Sequence, residues 1–203
     1  FLPNYYSDNA LILQQAHDLG LDMKIFGVDG MDGVLEKLGT GSIFSRLLGA
    51  PHTLNADAAI TQTVLACVDM SATRTGALII FERDNRLDDQ IRTGTILDAE
   101  TTAELLKNIF YPKAPLHDGA AIIRSGRIQA AGCMLPLSNN PNLSKELGMR
   151  HRAGIGMSEA SDAVVVIVSE ETGAISVAVN GMLKRHLTKD TFEKILRNEL
   201  IPE

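Results

Sequence analysis

Residues 163–179 read AVVVIVSEETGAISVAV. Two apolar runs of strand length flank a polar stretch, SEETG at 169–173, and the pattern predicts a hairpin with its loop there. The run AVVVIV has no polar residue at alternate positions, so it offers no face to water. A strand of that kind needs cover on both sides. The expectation is therefore an α/β fold: a mixed, twisted β-sheet flanked by helices on both faces.

The neighbouring segments extend this picture. AAIIR (120–124) and RIQAAGCML (127–135) read as two strands joined by a Ser125-Gly126 turn. GALIIFER (76–83) reads as another buried strand. A long amphipathic helix is expected from Asn55, its cap, with Ile60, Val64, Cys67 and Val68 on one face. DAETTAELLKNIF (98–110) predicts a helix capped by Asp98, with Leu105, Leu106, Ile109 and Phe110 inward. TKDTFEKILRNEL (188–200) predicts a closing helix capped by Thr188. Upstream, SDNALILQQAHDLG (7–20) reads as a helix, MKIFGVDG (23–30) as a short strand and VLEKLG (34–39) as a short helix.

At 203 residues, 45% hydrophobic and 22% charged, the chain has the composition of an ordinary globular protein with room for a core. Only 4% is aromatic and there is no Trp, so that core must be aliphatic. A net charge of −6 argues against a nucleic acid polymer as partner, yet a few arginines can still dominate one pocket. Cys67 and Cys133 sit in apolar stretches without CxxC spacing, as buried reduced thiols do. No run approaches the roughly 18 apolar residues of a membrane span. The chain begins at Phe1 rather than Met, which leaves open a segment upstream.

Four clusters carry possible chemistry. In PLHDGAAII (115–123), Asp118 can hold a divalent metal and His117 can add a ligand, while Gly119, Ala120 and Ala121 keep the neighbouring wall low; alone, Asp-Gly is also a plain turn signal. Arg150, His151 and Arg152 form a cationic group whose guanidinium forks match phosphate oxygens. Residues i and i+2 diverge on a helix, so both arginines reach one polyphosphate only from a loop or a first helical turn. Ser169 can donate to a phosphate and Glu170 can support a metal. Thr75-Gly76 and Thr93-Gly94 either close turns at strand ends or line a pocket mouth. GxSxG, a Walker loop and GxGxxG are all missing from the sequence.

Taken together, PLHDGAAII, LPLS (135–138), residues 146–179 and LGTGSIFSRLL (38–48) closely resemble the catalytic domain of bacterial diadenylate cyclases. The likeness is to the membrane-associated type, whose cyclase domain follows transmembrane helices. It runs from about Val34 to about Leu200, and it includes the ordered pair Asp118-Gly119-Ala120 and Arg150-His151-Arg152. The resemblance implies condensation of two ATP molecules into cyclic di-AMP, a divalent ion (Mg²⁺ or Mn²⁺, with Co²⁺ as a further option), and a homodimer with two sites face to face. It implies catalytic roles for Asp118, Gly119 and Ala120, with Asp118 binding metal or helping to deprotonate the 3′-hydroxyl. Arg150, His151, Arg152 and Ser169 would hold ATP together with Gly119, Thr75 and Gly76. His117 and Glu170 would join Asp118 near the metal. A cytoplasmic catalytic domain is expected, touching a membrane only through a segment absent from this chain. The alternative is a catalytically silent ATP-binding module.

Residues 1–33 depart from that pattern. They resemble a helix–strand fragment of periplasmic branched-chain amino-acid-binding proteins, which sets an atypical extension, 1–33, against a catalytic domain, 34–203. The extension is expected either to pack on that domain or to be poorly ordered.

Overall fold

The computed structural model describes residues 51–201 except 142, 145 and 146. The expectations for 1–33, for the helix at 34–39 and for LGTGSIFSRLL lie outside the described residues. Helix α1 (Pro51–Ala72) leads to β1 (Ala77–Phe81), a single helical turn α2 (Asp88–Ile91), β2 (Thr95–Glu100) and α3 (Ala103–Ile109). The hairpin β3 (Ala120–Arg124) and β4 (Arg127–Cys133) follows, then α4 (Met149–Ala160). A meander of β5 (Val164–Val168), β6 (Ile175–Val179) and β7 (Met182–Lys184) precedes α5 (Lys189–Leu200).

The strands form one seven-stranded sheet in the order β2-β4-β3-β1-β5-β6-β7. Among the described residues, only β1 and β3 run parallel, Ile80 opposite Ile122; the other neighbours are antiparallel. The mixed sheet expected from sequence is thus present, and β1 and β5 are buried along their whole length. Alternate residues feed two separate cores. Ile79, Phe81, Val164 and Val166 pack with α1, α3 and α5 through Ile60, Leu106 and Phe192. Leu78, Ile80, Val165 and Ile167 pack with α4 through Ile155 and Met157. Period-two alternation sends neighbouring side chains of an all-apolar strand into opposite layers.

Local signals account for most boundaries. Ser125 and Gly126 both take positive φ, 51° and 79°, as a two-residue turn of the twisted-hairpin type requires. Thr188 caps α5 by accepting from Thr191 N. Two expectations need correction. Asn55 does not cap α1: it lies inside the helix, which spans Pro51–Ala72. Asp98 does not cap α3: it lies in β2, at a positive φ of 44°, and accepts from Arg127 Nε at 2.8 Å. The cap is Thr102, which accepts from Leu105 N at 3.2 Å. Both residues have capping chemistry; pairing of β2 with β4 decides between them. Among the described residues, no helix is long and apolar enough to cross a membrane.

Candidate active site

One end of the sheet collects the chemistry. There β1 and β3 begin and β4 and β5 finish, with Ala77 opposite Val168 and Ala120 opposite Cys133. The first turn of α4 stands over this end. A cavity of about 620 Å³ opens here, lined by His117, Asp118, Gly119, Arg150 and Glu170, and by apolar surface from Leu78, Met134, Leu135, Leu137 and Met149. A second cavity of about 300 Å³ adjoins it, lined by Gly148, His151, Ser169, Glu171, Thr172 and Arg185. Met149, Arg150 and Glu170 line both, so the Arg150–Glu170 pair stands between them.

Asp118 reaches the larger cavity because of its neighbour. Gly119 has φ 118°, and a Cβ there would lie 2.6 Å from the carbonyl carbon of Gly132 and 2.8 Å from the Cys133 oxygen. Only glycine lets β3 start this close to β4. Its lack of a side chain therefore serves the strand packing as well as any ligand. Ala120 and Ala121 are wholly buried, one in each core, and add no surface to the cavity. Among the described residues, nothing hydrogen-bonds the Asp118 carboxylate. His117 Nδ1 donates to the Ala114 carbonyl at 2.6 Å, which assigns a proton to Nδ1 and leaves Nε2 without a hydrogen-bond partner among the described residues. Cys133, at the cavity wall, is buried, and burial pushes its thiol up to about 11.

The cationic side is set by α4 and by β1. Gly148 is the N-cap of α4, so Arg150, His151 and Arg152 occupy its first turn, one of the two conformations expected for that triplet. Arg150 Nη1 donates to Glu170 Oε2 at 2.6 Å, across Gly76. A Cβ on Gly76 would sit 2.8 Å from that Nη1 and 3.0 Å from the Glu170 Cβ. Gly76 therefore makes room for the pair. His151 is 7% exposed. Its pKa is held below the ordinary histidine value, chiefly by desolvation and then by the charge of Arg185, against a smaller opposing pull from Glu171.

The expected residues do not all meet. Arg152 turns away, donating from Nε to Leu147 O at 3.2 Å and from Nη2 to Ser144 O at 3.4 Å, and lines neither cavity. Thr75 lines a different hollow, beside Met70, Lys107 and Tyr111. Arg185 and the apolar wall from Met134 to Leu137 were not among the residues expected from sequence. Arg185 lies just past a three-residue edge strand with no motif around it. The MLPL stretch follows a strand and looks like ordinary core sequence.

The structure defines an α/β domain with a two-chambered cleft at one sheet end, acidic on one wall and cationic on the other. The chain belongs to the family described as DisA bacterial checkpoint controller nucleotide-binding, whose model matches residues 64–183. It is 48% identical over 165 residues to the cyclic di-AMP synthase CdaA of Bacillus subtilis, covering 81% of this chain and 60% of that protein. It is 46% identical over 167 residues to a diadenylate cyclase of Listeria monocytogenes, covering 82% of this chain and 61% of that one. The chain thus spans about three fifths of the curated relatives it matches. A crystal structure of a double-cysteine mutant of DacA from Staphylococcus aureus superposes with TM-score 0.69 at 48% identity, over 70% of this chain and 95% of that one.

Proposed function

We propose that this chain condenses two ATP molecules into cyclic di-AMP, releasing two pyrophosphates. The observation that carries the reading is convergence: Asp118, just before β3, and Arg150, in α4, line one cavity. The names of the relatives, cyclic di-AMP synthase and diadenylate cyclase, supply the reaction. In each half-reaction a 3′-oxygen bonds to the α-phosphorus of the facing ATP. The bond to the bridging oxygen of pyrophosphate breaks, and the hydroxyl proton departs.

In such a transfer the protein's task is positioning and charge stabilisation. The apolar wall of Leu78, Met134, Leu135 and Leu137 suits a purine and its ribose. Phosphates would lie toward Arg150, which exchanges Glu170 for phosphate oxygens, and on to Ser169 and His151 in the smaller cavity. Asp118 would face the reacting hydroxyl or hold a cation. Arg152 would act at one remove, by tying the Ser144 and Leu147 carbonyls to the first turn of α4.

A divalent ion fits the donor set in a specific way. Among the described residues, no three acidic, histidine or cysteine groups gather to hold one unaided. His117 Nε2 and the Asp118 carboxylate are nevertheless both uncommitted, and Mg²⁺ or Mn²⁺ commonly combines one or two protein ligands with substrate phosphates. Co²⁺ shares that octahedral preference, and Glu170 would become available once Arg150 leaves it. The ion, when bound, would offset charge on the phosphate oxygens. Because each hydroxyl must face the other ATP, two copies of the domain must meet site to site.

The test is direct. The protein is incubated with ATP and Mn²⁺ and the nucleotides are analysed by mass. Cyclic di-AMP should form, at a rate that falls faster than linearly on dilution. Tight ATP binding without cyclic product would instead favour a silent binding module.

A further inference from the structure

Arg185 has no role in what precedes, yet its setting is that of a ligand-binding side chain. Its backbone is held on both sides: Lys184 pairs with Val177 in the sheet, and Leu187 N donates to Ile175 O at 3.0 Å. Leu187 also packs against the core. Arg185 is exposed, lines the smaller cavity and, among the described residues, has no hydrogen bond or ion pair. Arg150, the other arginine of that cavity, is engaged by Glu170. His151, facing the same space, is buried.

Resting on the reading above, we propose that Arg185 binds the β- and γ-phosphates of ATP and so retains the pyrophosphate leaving group. The placement is the argument. Arg150 borders both cavities, whereas Arg185 borders only the smaller one, on the far side of Arg150 from the apolar wall. A nucleotide with its base on that wall passes Arg150 before it can reach Arg185. Arg185 should therefore distinguish a triphosphate from a monophosphate. A guanidinium suits this task because it offers several donors in a fixed fork and stays charged throughout turnover. The charge felt by the His151 imidazole is consistent with this location.

The experiment compares the full chain with Arg185→Gln and Arg185→Lys, measuring affinity for ATP, AMP and inorganic tripolyphosphate, with Tm as a folding control. Loss of one charge-assisted contact should weaken ATP and tripolyphosphate in Arg185→Gln by about 10- to 100-fold. AMP affinity and Tm should be unchanged, and Arg185→Lys should recover part of the loss. Unaltered tripolyphosphate affinity overturns the assignment, and so does a loss shared equally by AMP. Product formation by the unmodified protein is scored separately. If it makes no cyclic dinucleotide but Arg185→Gln still loses tripolyphosphate, the phosphate subsite stands and the cyclase reading falls. If it makes the product and the variant binds tripolyphosphate normally, Arg185 alone is misassigned.

Discussion

The two ends of the sheet each carry an arginine–carboxylate cluster, and the arginines are equally covered: the side chains of Arg124 and Arg150 are both 22% exposed. Their partners differ. Glu82 is 1% exposed and receives Arg124 at 2.6 and 2.7 Å, Leu87 N at 2.9 Å and Arg86 at 3.2 Å, while Arg124 also reaches Asp88. Glu170 is 63% exposed and receives one contact from Arg150. Burial pushes the Glu82 carboxyl upward, but those hydrogen bonds together outweigh it and hold the group below its ordinary value. A carboxylate satisfied on every side has nothing to exchange, so that end serves the fold. An arginine with one exposed partner beside two cavities can trade it for a phosphate.

The largest expected effects fall at the open end. Asp118→Asn and Arg150→Ala should each lower cyclic di-AMP formation by about 10²- to 10⁴-fold in steady-state assays. Their Tm should stay near that of the parent. A large loss of stability in Arg150→Ala would erase the contrast between the two ends. Arg124→Ala should do the reverse. It strands a buried charge, costing about 3 kcal/mol in a denaturant titration, with ATP affinity little changed.

Gly76→Ala sharpens the comparison at intermediate size. Its new methyl would displace the Arg150 guanidinium, and ATP should bind about tenfold more weakly at nearly constant Tm. The smallest stability effect belongs to Glu170→Gln, under about 1 kcal/mol, because exposed pairs contribute little. A larger cost would mean that this pair, too, is structural.

The open end also has a pH signature. The His151 pKa is depressed in the folded protein, so the unfolded chain takes up the proton first as pH falls. Stability should be complete above about 6.5, the unfolded value, and should decline below it toward the lower folded one. Arg185→Gln removes one depressing charge, so the His151 titration followed by NMR should move upward. An unmoved titration would place Arg185 farther from the imidazole than the cavity lining indicates.

Much of the fold was readable in the residues. AVVVIV demanded cover on both faces, and two cores provide it. Ser125-Gly126 announced its turn, and Thr188 its helix. Asp98 misled because two capping residues competed, and a strand pairing from outside the segment decided the outcome. For the site, the types of residue were legible at Asp118, Arg150 and Ser169, since carboxylate, guanidinium and hydroxyl have fixed chemistry. Arg152 and Thr75 have the same chemistry as residues that do line the cleft, yet they face elsewhere.

The sequence by itself determined the layered α/β architecture and the identity of the groups available for phosphate chemistry, because both follow from short-range pattern and side-chain type. Only the tertiary structure decided which arginines look into a common space. Arg150 does so because Gly76, just before a distant strand, leaves it room, and Arg185 because the last strand of the sheet ends beside α4. Direction and neighbourhood depend on contacts between segments far apart in the chain, and no local pattern of residues encodes them.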